Sequence, residues 1–213
     1  MDDNLVPASR YEVESWMKNS RFIATIGPAF SVPEARGFIA EVNQLYQDAT
    51  HNVPAYIIGS GSATTAHSSD DGEPSGTAGK PALSVLMGSG LGDTVLVITR
   101  YYGGTKLGTG GLVKAYSTAA KDAVQGVPKA NKIAVHQVTI SCPYPIFEQV
   151  RRLIQGHQGL NIAEEFTDQV RIDFSLPVDR LAALQSAINE LSSGQVSANV
   201  QKKNLIALQP VKA

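Results

Sequence analysis

Asp70, Asp71 and Glu73 stand almost side by side in the segment DDGEPSGTAGK (residues 70–80), with Ser75, Thr77, Lys80 and the glycines Gly72, Gly76 and Gly79 around them. About twenty residues later, Arg100, Tyr101, Tyr102 and Lys106 share RYYGGTKLGTGG (residues 100–111) with five glycines, among them Gly103, Gly104, Gly108 and Gly110. Neither segment has the apolar periodicity of a core element. Glycine permits sharp turns and close approach of backbone to a ligand. Clustered carboxylates suit hard cations, whereas a glycine-rich entry to a helix offers unpaired amides and a dipole to anions.

The second chemistry fits better. GTKLGTGG is not a Walker A loop, and Val113 breaks G-x-G-x-x-G. What remains is an anion-binding helix entry, with Arg100 closing a strand, Lys106 in the loop, and Lys114 and Lys121 seven residues apart on nearly one helix face. The competing reading is a tight strand-to-helix connection whose lysines are a solvated face. For the carboxylates, the spacing is not that of an EF-hand, and His67 alone is too little histidine for catalytic zinc. Ser75 or Thr77 is expected to satisfy loop amides. No metal and no cofactor is implied. There is no G-x-S-x-G elbow, and Cys142 sits on a strand pattern as a small hydrophobe. His51-Asn52, at the entry to a strand, is the best candidate for a functional histidine, a structural hydrogen bond at the strand edge being the alternative. Of the adjacent Tyr101 and Tyr102, one must point inward, leaving at most one to stack on a base.

The elements that hold these residues form two groups. Strands are expected at Arg10–Trp16 and Arg21–Gly27, a helix from Ser31 with a stripe of Ala35, Phe38, Ile39, Val42, Leu45 and Tyr46, and a strand at Val53–Gly59. Residues 60–69 read as a mobile small-residue loop. A short helix follows from about Pro81, then Thr94–Thr99 as a strand covered on both faces, then a helix from Gly110 to Val124 burying Leu112, Tyr116, Ala120 and Ala123. Lys129–Lys132 reads as a linker. Beyond it, Val138, Ile140 and Cys142 alternate as a strand, a helix spans about Pro145–Gln155, strands lie near Asn161–Glu165 and Gln169–Leu176, a helix carries Leu181, Leu184, Ile188 and Leu191, and a strand begins near Gln195. That order, β-α-β-β-α-β, is a split βαβ, ferredoxin-like pattern. Domains of residues 1–128 and 129–213 are expected.

The 213 residues, 43% hydrophobic and 17% charged, suit two modest globular domains. One cysteine excludes an internal disulfide framework. The N-terminus MDDNLVPAS has no apolar signal region, and no apolar run approaches a membrane span, so a cytoplasmic location is expected. The net charge of −1 hides a partition: residues 1–79 carry four basic against ten acidic side chains, and residues 80–132 seven against two. Local basic density attracts phosphate.

DDGEPSGTAGKP and TRYYGGTKLGTGGLVKAYSTA, with HNVPAY upstream and SRFIA near the start, resemble the YigZ/Impact family. The resemblance implies an α+β protein, with a ribosomal-protein-S5-domain-2-like first domain and a ferredoxin-like second domain similar to those closing translational elongation factors. Eukaryotic members regulate translation initiation through an additional N-terminal domain, and their partner is not carried over. Val53 and Pro54 stand where many relatives have Cys and an aromatic, which argues against thiol chemistry there. The leading expectation is a non-enzymatic, translation-associated protein that binds RNA or the ribosome, with a protein partner also possible and no membrane. The alternatives are a phosphate- or nucleotide-binding enzyme and a protein–protein adaptor.

Overall fold

The computed structural model describes residues 5–59 and 64–211. By contact density the chain divides into two units, Met1–Asn131 with Pro210–Ala213, and Lys132–Gln209. The first contains β1 (Leu5–Pro7), β2 (Tyr11–Met17), β3 (Ser20–Pro28), α1 (Val32–Leu45), β4 (His51–Ile58), β5 (Thr65–Ser68), α2 (Gly79–Gly88), β6 (Thr94–Tyr101) and α3 (Thr109–Gly126). Its main sheet has the order β2-β3-β6-β4-β5, with every neighbouring pair antiparallel.

β6 is central, which explains its uninterrupted apolar run. Leu96 and Ile98 face a core built with Ala82 and Leu86 of α2 and Leu112, Tyr116 and Ala120 of α3. Val95 faces the opposite side, where Ala35 of α1 is buried and Phe38 and Ile39 pack. α1 starts where its cap dictates: the Ser31 hydroxyl accepts from Glu34 N–H and donates to Glu34 Oε1, while Glu34 Oε2 accepts from Phe30 N–H. Leu45, expected in the buried stripe, is 59% exposed because the helix ends there, and Tyr46 turns its hydroxyl to Glu12 Oε2 at 2.8 Å.

The second unit takes β7 (Lys129–Cys142) from Lys132 onward, then α4 (Phe147–Gly156), β8 (Leu160–Phe166), β9 (Val170–Pro177), α5 (Leu181–Leu191) and β10 (Asn199–Pro210) as far as Gln209. β10 pairs with β7, β7 with β9 and β9 with β8, the strand order of a ferredoxin-like sandwich. Val138, Ile140, Cys142, Val170, Ile172, Phe174 and Leu176 point to the face covered by α4 and α5, as strict alternation demands. Both units are thus α+β, and the strand order of the second is ferredoxin-like.

Three sequence expectations fail, two of them because of pairing that local pattern does not reveal. Lys129–Lys132 is no linker but the start of β7, because Leu5–Pro7 pairs with it, Leu5 against Asn131 and Pro7 against Lys129. Part of the supposed 60–69 loop is β5, an edge strand placed by pairing Ala55–Ile58 with Thr65–Ser68; residues 60–63 lie outside the described residues. The last strand begins at Asn199 and not near Gln195, since Val196 is drawn into the core and Ala198 N–H donates to Gln185 Oε1.

Candidate functional site

β4 and β6 pair so that His51 lies directly across from Arg100 at the end of the sheet. The loop between β5 and α2 brings Glu73 beneath both. Arg100 is 5% exposed, and its Nη1 donates to Glu73 Oε1 at 2.5 Å. Its Nη2 donates to Ser20 Oγ at 3.3 Å, and its Nε has no partner among the described residues. The guanidinium lies over the rings of Phe22 and Tyr102, at 5.6 and 5.5 Å from their centroids. The Tyr116 hydroxyl donates to the same Glu73 oxygen at 2.8 Å. Burial first, and then the charge and hydrogen bond of Glu73, push the Tyr116 phenol far above its ordinary range, so it remains a donor. Glu73 Oε2 lies 3.9 Å from His51 Nε2.

The other two carboxylates hold the loop. Asp70 accepts from the backbone amides of Gly76, Ala78 and Gly79 at 2.7, 3.1 and 2.8 Å, capping α2 from outside. Burial raises its pKa, but the three amides outweigh that and keep it below the usual carboxylate range. Ser75 and Thr77, expected as caps, do not serve: Ser75 is exposed, and the Thr77 hydroxyl donates to Pro74 O. Asp71 accepts from Asn52 N–H through Oδ2 at 2.6 Å, and its carbonyl oxygen meets His51 Nδ1 at 2.6 Å. The turn that aims this carbonyl has φ +47° at Asp71 and +84° at Gly72. Asn52 bridges inward, accepting from Thr99 Oγ1 and donating to Tyr46 O. His67, on β5, packs on the Tyr56 ring. The carboxylates therefore diverge, and no group of three or more metal-ligating side chains converges among the described residues.

Above Glu73 opens a cavity of about 530 Å³ whose walls include His51, Arg100, Tyr102, Lys106, Gly108 and Thr109. Tyr102 is 45% exposed and is the available aromatic. Tyr101 is committed, its hydroxyl donating to Asp48 Oδ1 and its ring lying beside Arg21. Gly108, at the N-cap of α3, has no side chain with which to cap the first-turn amides, and Gly108 and Thr109 line the wall. Gly103 turns the chain against Asn19, where a Cβ would lie 1.8 Å from the Asn19 carbonyl oxygen. Gly104 follows with φ +81°.

The Impact N-terminal domain model matches residues 18–124, and a domain of unknown function, DUF1949, matches residues 140–195. The "IMPACT family member YigZ" of Escherichia coli is 34% identical over 197 residues, covering 92% of this chain and 97% of that protein. This chain belongs to the IMPACT family. The resemblance drawn from residues 20–24, 51–56, 70–81 and 99–119 is thereby borne out. An "IMPACT family member in pol 5′region" of Thermus thermophilus is 37% identical over 162 residues, covering 76% of this chain and 86% of that protein. A crystal structure titled as that of a hypothetical protein aligns at 33% identity and a TM-score of 0.62, covering 95% of this chain and 98% of that one.

In this IMPACT family chain the expected basic residues line more than one concavity. Arg100 and Lys106 line the cavity above Glu73. Lys80 and Lys121, with Gly76, Ser84 and Ser117, line a separate groove of about 890 Å³ between α2 and α3. Lys114 is exposed on α3 but lines neither. Gly79 is confined because Ser69 backbone packs on it, and Gly110 sits exposed in the first turn of α3. Sequence reasoning missed Ser20, Thr50 and Thr109 as site residues and read Tyr116 as core alone. Thr50 lines the cavity and accepts from Tyr102 N–H at 3.0 Å. Nothing in local pattern marks Ser20 or Thr50, since their partners lie far along the chain.

No helix among the described residues is long and apolar enough to cross a membrane.

Proposed function

We propose that this IMPACT family protein is a cytoplasmic, translation-associated factor that binds RNA, free or within the ribosome, through the cavity at the end of β4 and β6. The observation that carries this reading is the meeting, in one cavity, of Arg100, Lys106, the N-terminus of α3 with no side-chain cap and the exposed ring of Tyr102. Glu73 does not spoil the site for an anion, because its charge is matched at 2.5 Å by Arg100; the net field is that of Lys106 and the helix terminus. A phosphate then meets Lys106 and the α3 amides, while Tyr102, backed by the Arg100 guanidinium, stacks an unpaired base. The translation setting is what the family resemblance implies.

Co-sedimentation with ribosomes at low and high salt tests it. Binding should fall steeply with salt, because each phosphate contact releases counterion. Lys106→Glu and Tyr102→Ala should each weaken it across RNA sequences, and Lys114→Glu should do less. Failure of the wild type to bind ribosomes or RNA at low salt overturns the reading. A thermal shift with a magnesium nucleotide would then favour the enzyme alternative, for which the volume of the cavity, about 530 Å³, is the supporting observation.

A further inference from the structure

α2 and α3 cover the face of the main sheet opposite α1, and between them runs the groove of about 890 Å³. Each helix turns one face into it: Lys80, Ser84 and Gly88 at four-residue intervals on α2, and Val113, Ser117 and Lys121 at the same intervals on α3. Val85 and Val124 complete an aliphatic lining, and Val113 is 39% exposed, so apolar surface here meets solvent. No carboxylate and no aromatic ring lines the groove among the described residues. Neither lysine is ion-paired among them. Asp70 feels the charge of Lys80, but its oxygens are taken by three backbone amides. One residue keeps the groove open without being asked for by the fold. A Cβ at Gly88 would meet nothing within 4 Å, and Gly88 is not among the glycines of positive φ. Inside a helix glycine is less favourable than alanine, so neither packing nor backbone geometry accounts for it; the space it leaves is groove.

We propose that this groove docks an acidic amphipathic helix of a partner protein. The site is separate from the RNA cavity and does not depend on it. The lining of α3 from Val113 to Gln125 runs along about 18 Å of helix axis, a little over three turns, which suits a linear helical segment. Aliphatic side chains at i, i+3, i+4 and i+7 of such a segment cover Val85, Val113 and Val124. Carboxylates flanking that stripe reach Lys80 and Lys121, which stand one on each helix. Charge complementarity then selects an acidic segment over a basic one. Single-stranded nucleic acid fits less well, because a base has no ring to stack on and the valines offer a phosphate nothing.

The probe is a fluorescein-labelled peptide of about 18 residues, long enough to form a helix, with leucines at i, i+3, i+4 and i+7 and glutamates on either side of that stripe. Two control peptides carry the same composition scrambled, and lysine in place of every glutamate. In fluorescence anisotropy with the full chain, the acidic amphipathic peptide should bind about tenfold more tightly than either control. Lys121→Glu should weaken it by about tenfold. Gly88→Leu, which fills the groove where a side chain meets nothing else, should abolish binding while the melting curve stays that of a folded protein. Failure of the acidic peptide to bind the wild type overturns the proposal, as does equal binding of the acidic and lysine peptides. Binding that survives both variants overturns it too, by placing the peptide elsewhere. If single-stranded RNA displaces the peptide and its own affinity falls in Gly88→Leu, the groove belongs to nucleic acid and the proposal falls. Lys121→Glu changes an exposed side chain, so the location is tested even if Gly88→Leu does not fold.

Discussion

Glu73 carries the arrangement at the end of the sheet, since Arg100, Tyr116 and His51 all refer to it. Removing one partner of a buried ion pair leaves the other charged and unmatched, which costs about 3–5 kcal/mol. Glu73→Ala should therefore lower the melting temperature by roughly 10 °C, measured calorimetrically; a fall of a degree or two would mean that water reaches Arg100 freely. Tyr116→Phe removes only the hydroxyl and should cost about 1.5–3 kcal/mol, the range for a hydrogen bond to a charged group. The residue types at this site were legible, because Glu73, Arg100, His51 and Tyr102 stand out by sequence context alone. Their roles were not. Glu73 and Arg100 meet across 27 positions and Glu73 and Tyr116 across 43, distances at which no local pattern operates. A glutamate between Gly72 and Pro74 reads as solvent-facing until β4, β6 and α3 close around it.

At the scale of the element, α2 depends on a cap eight or nine residues upstream. Asp70 satisfies amides that Ala78, at the N-cap position, has no side chain to reach. Asp70→Ala should cost about 1–2 kcal/mol in chemical denaturation, the upper range for a lost N-cap. The pH dependence has a definite sign. The folded pKa of Asp70 is lowered, so its contribution is complete above the ordinary aspartate value near 4 and is lost as pH falls through the lowered folded value. Between about pH 4 and 2 the wild type should lose more stability than Asp70→Asn, and parallel pH–stability curves for the two would refute the assignment. Long periodic helices and the both-faces-buried β6 were legible, because burial imposes its period directly on side-chain type. β5 was not: Thr65–Ser68 is short, polar and at an edge, and only its ladder to β4 makes it a strand. β1 and the first residues of β7 escaped because only their mutual ladder makes them strand.

For the whole molecule, two cores mean two separable losses. The cores built around Leu96 and around Phe174 share no residue. Phe174→Ala should destabilise the ferredoxin-like unit by about 3–5 kcal/mol while leaving RNA affinity within twofold, because every proposed contact lies in the first unit. Loss of affinity in that variant, under conditions where it remains folded, would show that the second unit takes part in binding. The charge partition along the chain belongs at this scale as well. The basic excess of residues 80–132 is divided between the cavity and the α2–α3 groove, so a linear count of lysines overstates what any one phosphate meets.

Cys142 lies in the second core, fully buried, and burial raises its thiol pKa. It is also the only cysteine in the 213 residues. Alkylating reagents attack the thiolate, so the native chain should react at the rate at which β7 detaches from its helices and not at the intrinsic rate of a free thiol. One mass increment per molecule, followed over time, would thus clock the opening of the ferredoxin-like unit without any introduced label.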